Sequence, residues 1–484
     1  MTEAFTGTQV RAAETPLLDA GRGPELMARA AHGLALAVVR LIRRERGRVA
    51  GARVAALIGK GNNGGDALFA LAELARRGAR ATAVLTGGRA HPEGLAAFTR
   101  AGGRVTERLE EADIVVDAVL GTGFSGEYAP PLPRPDALVV ACDLPSGLDA
   151  DTGTAGPEVW RADLTVTFGA LKTGLLAGRG RALAGRVEVV DIGLGPHLPA
   201  PDVRSLDAAA AAALLPSPRD DWHKYSRGVL GLVAGSEPYP GAAVLATAGA
   251  LATGVGMVRI VAPDAVRRLV LSAHPEVVGS SEPAGRVQAW AAGPGIADDA
   301  AQRRALAVAL ESGLPAVVDA SALDVLLGLL ERSAGEHVVI TPHAGELERL
   351  LGDPSREAIE AEPVRWARAA SVRLGVTVLL KGPATVCAAP DGTAWVQGEG
   401  HPYLATAGSG DTLTGVLGAL LATAQDLRPV EAAALAAFVH GAAGRVAAES
   451  GPFGAGALAP AVREAVSRLS ARAALGRAAG SSGR

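Results

Sequence analysis

Short apolar runs rich in Val, Ile and Ala alternate along the chain with longer stretches whose apolar residues return at helical spacing. In the first half the runs are VAALI (54–58), ATAVL (81–85), IVVDAVL (114–120), ALVVACD (137–143), LTVTF (164–168) and VEVVDIG (187–193). LFALAELARRG, between the first two, reads as a helix with Gly78 as its C-cap. The second half repeats the style with VLGLVAG (229–235), GMVRIVAP (256–263), VQAWAAGPG (287–295), PAVVDA (315–320), HVVITP (337–342), TVLLKGP (377–383) and TVCAAP (385–390). Strands apolar throughout are buried on both faces, so the pattern predicts a parallel sheet between two helical layers. No short internal repeat is present, which argues against a solenoid. The stretch PDVRSLDAAAAAALLPSPRDDW (201–222) breaks the rhythm with a short Ala-rich helix, Pro216, Pro218 and a charged cluster. It predicts two domains, 1–210 and 220–475, with a small polar tail at 476–484 expected to be disordered.

Composition narrows the class. The chain has 484 residues, 49% apolar and 20% charged, with 3% aromatics, so its cores are built from Ala, Val and Leu. Lys and Arg number 47 against 50 Asp and Glu, and no basic run stands out, so neither nucleic acid nor an anionic membrane is an expected partner. The apolar run at 242–258 is interrupted by Gly249, Gly254 and Gly256 and reads as a buried helix. Two cysteines, Cys142 and Cys387, make no disulfide framework and point to a reducing cytoplasm. The first residues, MTEAFTGTQVRAAETP, lack the apolar core of a secretory signal.

Two Gly-rich segments end in aspartate: GKGNNGGDA at 59–67 and ATAGSGDTLTG at 405–415. In the second, Gly408 and Gly410 precede Asp411 at the start of an apolar helix. Unpaired N–H groups and the positive dipole end favour an anion there, and glycines let it approach closely. Asp411 reads either as a helix cap or as a base that takes a proton from a substrate hydroxyl beside a phosphoryl group. No Gly-Lys-Ser/Thr is present, so this is not a Walker A loop. In the first segment the spacing does not fit a dinucleotide fingerprint, and the amides of Asn62 and Asn63 suggest ligation of a cation and hydroxyls besides phosphate. Asp117 and Asp143 end two strands, and Pro145, Ser146 and Gly147 follow, so these oxygens can meet at one switch point. Taken singly, Asp117 also reads as a buried strand-end carboxylate and Asp143 as a turn residue.

These segments carry a resemblance. ATAGSGDTLTGVLGALLA resembles the anion-hole signature of the ribokinase-like superfamily. With KYSRGVLGLVAGSEPYPGAAVLA (224–246), GPG (293–295), TPHAGELERLLG (341–352) and KGPATVCAAPDG (381–392), it is similar to the ADP-dependent NAD(P)H-hydrate dehydratases. The first half, through GKGNNGGDA, VVDAVLGTGFSGE, CDLPSGLDADTG and VTFGALKTGLLAGRG, resembles the NAD(P)H-hydrate epimerases. The resemblance covers roughly residues 10–475 and implies two three-layer α/β/α domains, Rossmann-like then ribokinase-like. It implies small-molecule substrates, hydrated NADH and NADPH (NADHX and NADPHX), with ADP as co-substrate, K⁺ in the first domain and Mg²⁺ in the second. A homo-oligomer is expected because most oligomeric enzymes are symmetric assemblies of one chain.

By resemblance, Asn63, Asp117 and Ser146 are the potassium ligands. Asn62, Asn63, Gly64, Gly65, Asp66, Gly121, Thr122, Gly123, Phe124, Ser125, Gly126, Glu127 and Asp143 line the first substrate site. Asp143 is the expected acid/base group, with Lys172 as an electrostatic aid. In the second domain Asp411 is the catalytic base. Lys381, Gly382, Pro383, Ala384, Thr385, Gly408 and Gly410 bind the nucleotide, and Gly295 and His343 line the hydrate pocket. Departures from the family pattern are Ala67 after GNNGGD, Cys142 before Asp143, Ser321 in VVDASAL, GPGIA without a further Gly, and His401, Tyr403 and Leu404 in GEGHPYLAT. A competing reading is a ribokinase-like kinase of a vitamin precursor fused to a non-catalytic ligand-binding domain, since the same GSGD loop would serve it.

Overall fold

The computed structural model describes residues 1–217, 219–297, 300–324 and 335–481, with side chains to residue 475. The chain divides into two compact units, Glu3–Val203 and Arg204–Arg484 with Met1–Thr2. The division falls ahead of the 210–220 stretch. The Ala-rich helix Ala208–Leu214 buries Ala211 and Ala212 in the core of the second unit.

The N-terminal unit is built on seven parallel strands: β1 (Arg53–Ile58), β2 (Arg80–Leu85), β3 (Arg104–Val105), β4 (Ile114–Ala118), β5 (Leu138–Cys142), β6 (Leu164–Phe168) and β7 (Arg186–Val190). Their spatial order is β3-β2-β1-β4-β5-β6-β7. The winding therefore reverses between β1 and β4, which opens a crevice at their carboxyl ends. The segments leaving those two ends are GKGNNGGD and LGTGFSGE. Val54, Ala56 and Ile58 face the helices Gly23–Arg46 and Asn62–Arg76, through Leu34, Val38, Leu68 and Leu71. On the opposite face Ala55, Leu57, Val115, Val139 and Ala141 are closed over by Trp160, Ala162 and Leu132, which come from connecting segments rather than long helices.

The C-terminal unit holds β8 (Val229–Val233), β9 (Met257–Val261), β10 (Val278–Ser280), β11 (Ala289–Ala292), β12 (Ala316–Val318), β13 (Val338–Ile340), β14 (Thr377–Leu380), β15 (Thr385–Ala388) and β16 (Ala394–Gln397). They lie in the order β10-β9-β8-β11-β12-β13-β14-β15-β16. The strands up to β14 run parallel, but β14, β15 and β16 pair antiparallel. The sequence suggested parallel strands throughout. The connections after β14 and β15 are too short for a crossover helix, so the chain turns back on itself. Helices Pro240–Thr253, Ser409–Thr423 and Pro429–Ala448 cover one face, while Ala300–Glu311 and Pro363–Leu374 pack on the other strands' second side. Pro429–Ala448 is long and apolar enough to cross a membrane, yet 72% of its apolar window is buried in this core. The last helix, Leu458–Ser481, takes in part of the expected tail, and residues 482–484 lie outside the described residues.

Helices Pro240–Thr253 and Ser409–Thr423 approach each other through glycines. A Cβ on Gly415 would meet the Ala246 carbonyl oxygen at 2.0 Å, and one on Gly249 the Thr412 oxygen at 2.5 Å. This close crossing fixes the helix that begins at GSGD. Gly415→Val is expected to destabilise the C-terminal unit by about 1–3 kcal/mol or more, because backbone must move apart. Urea unfolding checks this, and an unchanged midpoint would contradict the account.

Candidate active site

Each unit gathers sequence-predicted residues at the carboxyl edge of its own sheet. In the first, the helix after β1 starts at Asn62, so Asn63, Gly64, Gly65 and Asp66 form its opening turn rather than a loop ahead of it. Asn63 Nδ2 donates to Leu120 O at 2.9 Å, while its Oδ1 is buried with no hydrogen-bond partner among the described residues. Asp117, near the end of β4, accepts from the Ser146 backbone N–H at 2.9 Å and from its hydroxyl at 2.6 Å. The Ser146 hydroxyl oxygen in turn accepts from Leu120 N at 2.9 Å. Burial pushes the Asp117 carboxyl up, against the pull of Ser146.

Asp143 sits just past β5 with φ +68°, a strained conformation for a residue other than glycine. Its carboxylate is buried and fully engaged. One oxygen accepts from the Thr122 N–H at 2.9 Å and the Thr122 hydroxyl at 2.5 Å. The other accepts from Lys172 Nζ at 2.6 Å and the Thr167 hydroxyl at 3.1 Å. Lys172 is 1% exposed and also donates to Phe168 O. Burial alone would raise Asp143, but the Lys172 ammonium and Thr122 override it and hold the group below the usual carboxylate value. Two neighbours go the other way. Burial first, then the charges of Asp143 and Glu14, push Asp66 well up. Glu14 is raised by burial and Asp143, against Lys172 and Arg11.

Glu14 was not foreseen from the sequence. It lies on the helix Gly7–Asp19, whose Gly7 and Arg11 share its face, and Arg11 donates to Thr122 O at 2.7 Å. Gly121 and Thr122 stand beside the Asp143 carboxylate. Phe124 packs edge-on to Tyr128, whereas Gly123, Ser125, Gly126 and Glu127 are exposed.

In the second unit Gly408 caps the helix Ser409–Thr423 with φ +87°, where a side chain would be strained, and Asp411 lies in its first turn. Burial and the nearby Asp319, opposed by Lys381, push Asp411 up to about 6. Asp319, just past β12, is buried and accepts from Lys381 Nζ at 2.8 Å and the Thr414 hydroxyl at 2.7 Å. Glu346 lies 3.6 Å from the same ammonium. Burial works against the Lys381 charge, but Asp319 and Glu346 outweigh it and raise the group. Gly410 faces this pair: a Cβ there would lie 3.6 Å from Lys381 Nζ and 3.8 Å from Asp319 Oδ2.

His343 caps the helix Ala344–Leu351, its ring accepting from Glu346 N, and it bridges to Lys381. Gly295, with φ +61°, accepts from the Ser236 hydroxyl at 2.7 Å and packs at the start of Pro240–Thr253. Gly382 and Pro383 are exposed turn residues, Ala384 is buried and Thr385 opens β15. Beside the helix start, Ala455 packs on Gly408 near an apolar hollow of about 620 Å³ lined by Val446, Pro452, Phe453 and Pro460. Asp319 ends a VVD run just as Asp117 does, and that run is its mark in the sequence.

The chain is 45% identical over 439 residues to the bifunctional NAD(P)H-hydrate repair enzyme of Mycobacterium tuberculosis, covering 87% of this chain and 90% of that protein. It belongs to the bifunctional NAD(P)H-hydrate repair enzyme family. The Mycobacterium leprae member is 43% identical over 468 residues, covering 93% of this chain and 96% of its own. Residues 230–467 match the NAD(P)H-hydrate dehydratase family model, and residues 23–174 match the model for the YjeF-related protein N-terminus. Among solved structures, the ADP/ATP-dependent NAD(P)H-hydrate dehydratase from Bacillus subtilis aligns at 28% identity with a TM-score of 0.49, covering 55% of this chain and 99% of that one.

Lys172→Met would leave the Asp143 carboxylate buried without its countercharge. The expected loss is about 3–5 kcal/mol of stability in the N-terminal unit at neutral pH. Without the ammonium, burial raises Asp143 above its unfolded value. The deficit therefore shrinks as pH falls and Asp143 takes up a proton. Denaturant unfolding at several pH values checks it, and a deficit independent of pH would contradict the assignment.

Proposed function

We propose that the two units act in sequence on hydrated NADH and NADPH: the N-terminal unit interconverts the R and S hydrates, and the C-terminal unit dehydrates the S hydrate with ADP, giving AMP and phosphate. The observation that carries this reading is Asp411, raised to about 6 at a helix start whose Gly410 faces Lys381 and Asp319. A base with that pKa is ionised at neutral pH yet accepts a proton readily. Hydroxide leaves poorly and phosphate leaves well. Asp411 takes the proton of the ring hydroxyl as the hydroxyl oxygen attacks the terminal phosphorus of ADP and AMP leaves with the bridging oxygen. The helix N–H groups and Lys381 hold the charge that develops on the phosphoryl oxygens. The ring nitrogen then expels phosphate and the C=C bond forms as a ring proton departs. The apolar hollow beside Gly408 suits the adenine base. Among the described residues no group of three or more His, Cys, Asp or Glu converges to hold a metal, so Mg²⁺ fits as an ion carried on the ADP phosphates.

In the N-terminal unit, the partnerless Asn63 Oδ1, the Asp117 carboxylate and the Ser146 hydroxyl are hard oxygen donors that suit K⁺. The cation would supply a fixed positive charge for the substrate's phosphates. Epimerisation needs a proton delivered to the leaving hydroxyl and a base for the returning water. Asp143, held ionised by Lys172, suits the base, and the raised Asp66 suits the donor. The proton leaves Asp66 as the C–O bond breaks, Asp143 receives one as water adds to the opposite face, and exchange with solvent restores both groups.

Two variants separate the activities. Asp411→Asn should abolish ADP-dependent dehydration by about 10²-fold or more while epimerisation persists, and Asp143→Asn should do the reverse. Dehydration in the unmodified enzyme should decline as pH falls below about 6, where Asp411 becomes protonated. Release of AMP and phosphate in step with dihydronicotinamide absorbance is the expected outcome. Accumulation of a stable phosphoester would instead establish a kinase.

A further inference from the structure

His440 lies inside the apolar helix Pro429–Ala448, among its buried residues. It is buried, and burial pushes its pKa down to about 4. Its Nε2 lies 3.1 Å from the backbone carbonyl oxygen of Ser409 and 3.2 Å from the Ser409 hydroxyl oxygen. A bare ring nitrogen at that distance from a carbonyl oxygen would set two lone pairs against each other. The contact is therefore made by the neutral tautomer that carries its proton on Nε2.

Ser409 precedes Gly410, and the peptide joining them is planar and trans, so the Ser409 C=O and the Gly410 N–H point in opposite directions. Holding the carbonyl toward the helix Pro429–Ala448 fixes the Gly410 N–H toward the other side. Lys381 Nζ and Asp319 Oδ2 also lie close to Gly410, 3.6 Å and 3.8 Å from where its Cβ would stand. The Ser409–Gly410 peptide lies in the first turn of its helix, behind the left-handed Gly408, where the leading N–H groups have no intrahelical partner and helix ends fray. We propose that His440 is a positioning residue of the dehydratase site: its Nε2–H grips the Ser409 carbonyl and so aims the Gly410 N–H at the phosphoryl group in transfer.

The proposal rests on the phosphoryl-transfer reading of the C-terminal unit and assigns His440 no contact with substrate. The groups that bear on the imidazole are Ser409 from the helix Ser409–Thr423 and the charge of Lys381 from beyond β14. The Ser409 carbonyl favours the imidazolium, but burial and the Lys381 charge outweigh it and keep the ring neutral near pH 7.

The test combines spectroscopy with kinetics on the full chain. Nitrogen-15 spectra of the unmodified protein should show His440 neutral and protonated on Nε2 from pH 5 to 8, and a proton on Nδ1 alone would overturn the proposal. Inorganic phosphate should shift the Gly410 amide resonance. His440→Leu should lose that shift and lower kcat for ADP-dependent dehydration on the order of 10–100-fold, with KM for the hydrate little changed. His440→Gln, whose amide can still donate, should recover most of the rate. A folded His440→Leu with unchanged kcat and an unchanged Gly410 response would overturn the proposal. So would a folded His440→Gln that loses the rate and the Gly410 response relative to the unmodified protein, and this second arm decides the matter if the Leu variant does not fold. Absence of any ADP-dependent turnover by the unmodified enzyme would strike the functional reading instead, and the tautomer and phosphate measurements would still decide whether His440 aims the loop.

Discussion

Both units bury an aspartate just past a parallel strand and pair it with a lysine. Asp143 meets Lys172 at 2.6 Å, and Asp319 meets Lys381 at 2.8 Å. Such a pair adds little net stability, since desolvating two charges offsets most of their attraction. What it supplies is a fixed field at the place where open α/β sheets bind ligands. In the first unit that field keeps Asp143 ionised, and the Asp143 charge adds to the burial that pushes Asp66 up. In the second, burial raises Asp411, Asp319 adds to it and Lys381 opposes it, while Lys381 stays charged. Burial sets the raised values of the neighbouring acids, and the buried pairs adjust them.

Seen this way, the two units solve a related problem with different consequences. A fixed base beside a proton-bearing carboxyl moves protons without net change, which suits an interconversion of epimers. A base near neutrality beside a cation and a helix start suits removal of a hydroxyl proton as phosphorus is attacked. Joining them has a chemical logic: hydration yields both epimers, and a dehydratase that accepts one leaves the other stranded. The family to which the chain belongs bears the name of that combination.

Much of this was legible in the sequence because the residues sit at strand and helix ends, where local pattern marks position. Asn63, Asp117, Asp143, Ser146 and Asp411 each follow an apolar run or a glycine, and the structure brings the first four together. Asp319 carries the same mark. Glu14 and His440 carry none, for they lie within helices and reach their partners only through tertiary packing. The antiparallel turn-back of β14 to β16 was hidden for a different reason. Short apolar runs look alike in either direction, and only the length of the connections decides. His343 illustrates the opposite limit, since its observed bonds are those of a helix cap.

The most direct measurement is the amplitude of dihydronicotinamide absorbance recovered from an equal mixture of R and S hydrates of NADH, with ADP, Mg²⁺ and K⁺, on a timescale short against spontaneous interconversion. The account predicts recovery of the whole mixture. Recovery that stops at the S fraction would contradict the epimerase assignment, and no recovery at all would contradict the account in both units.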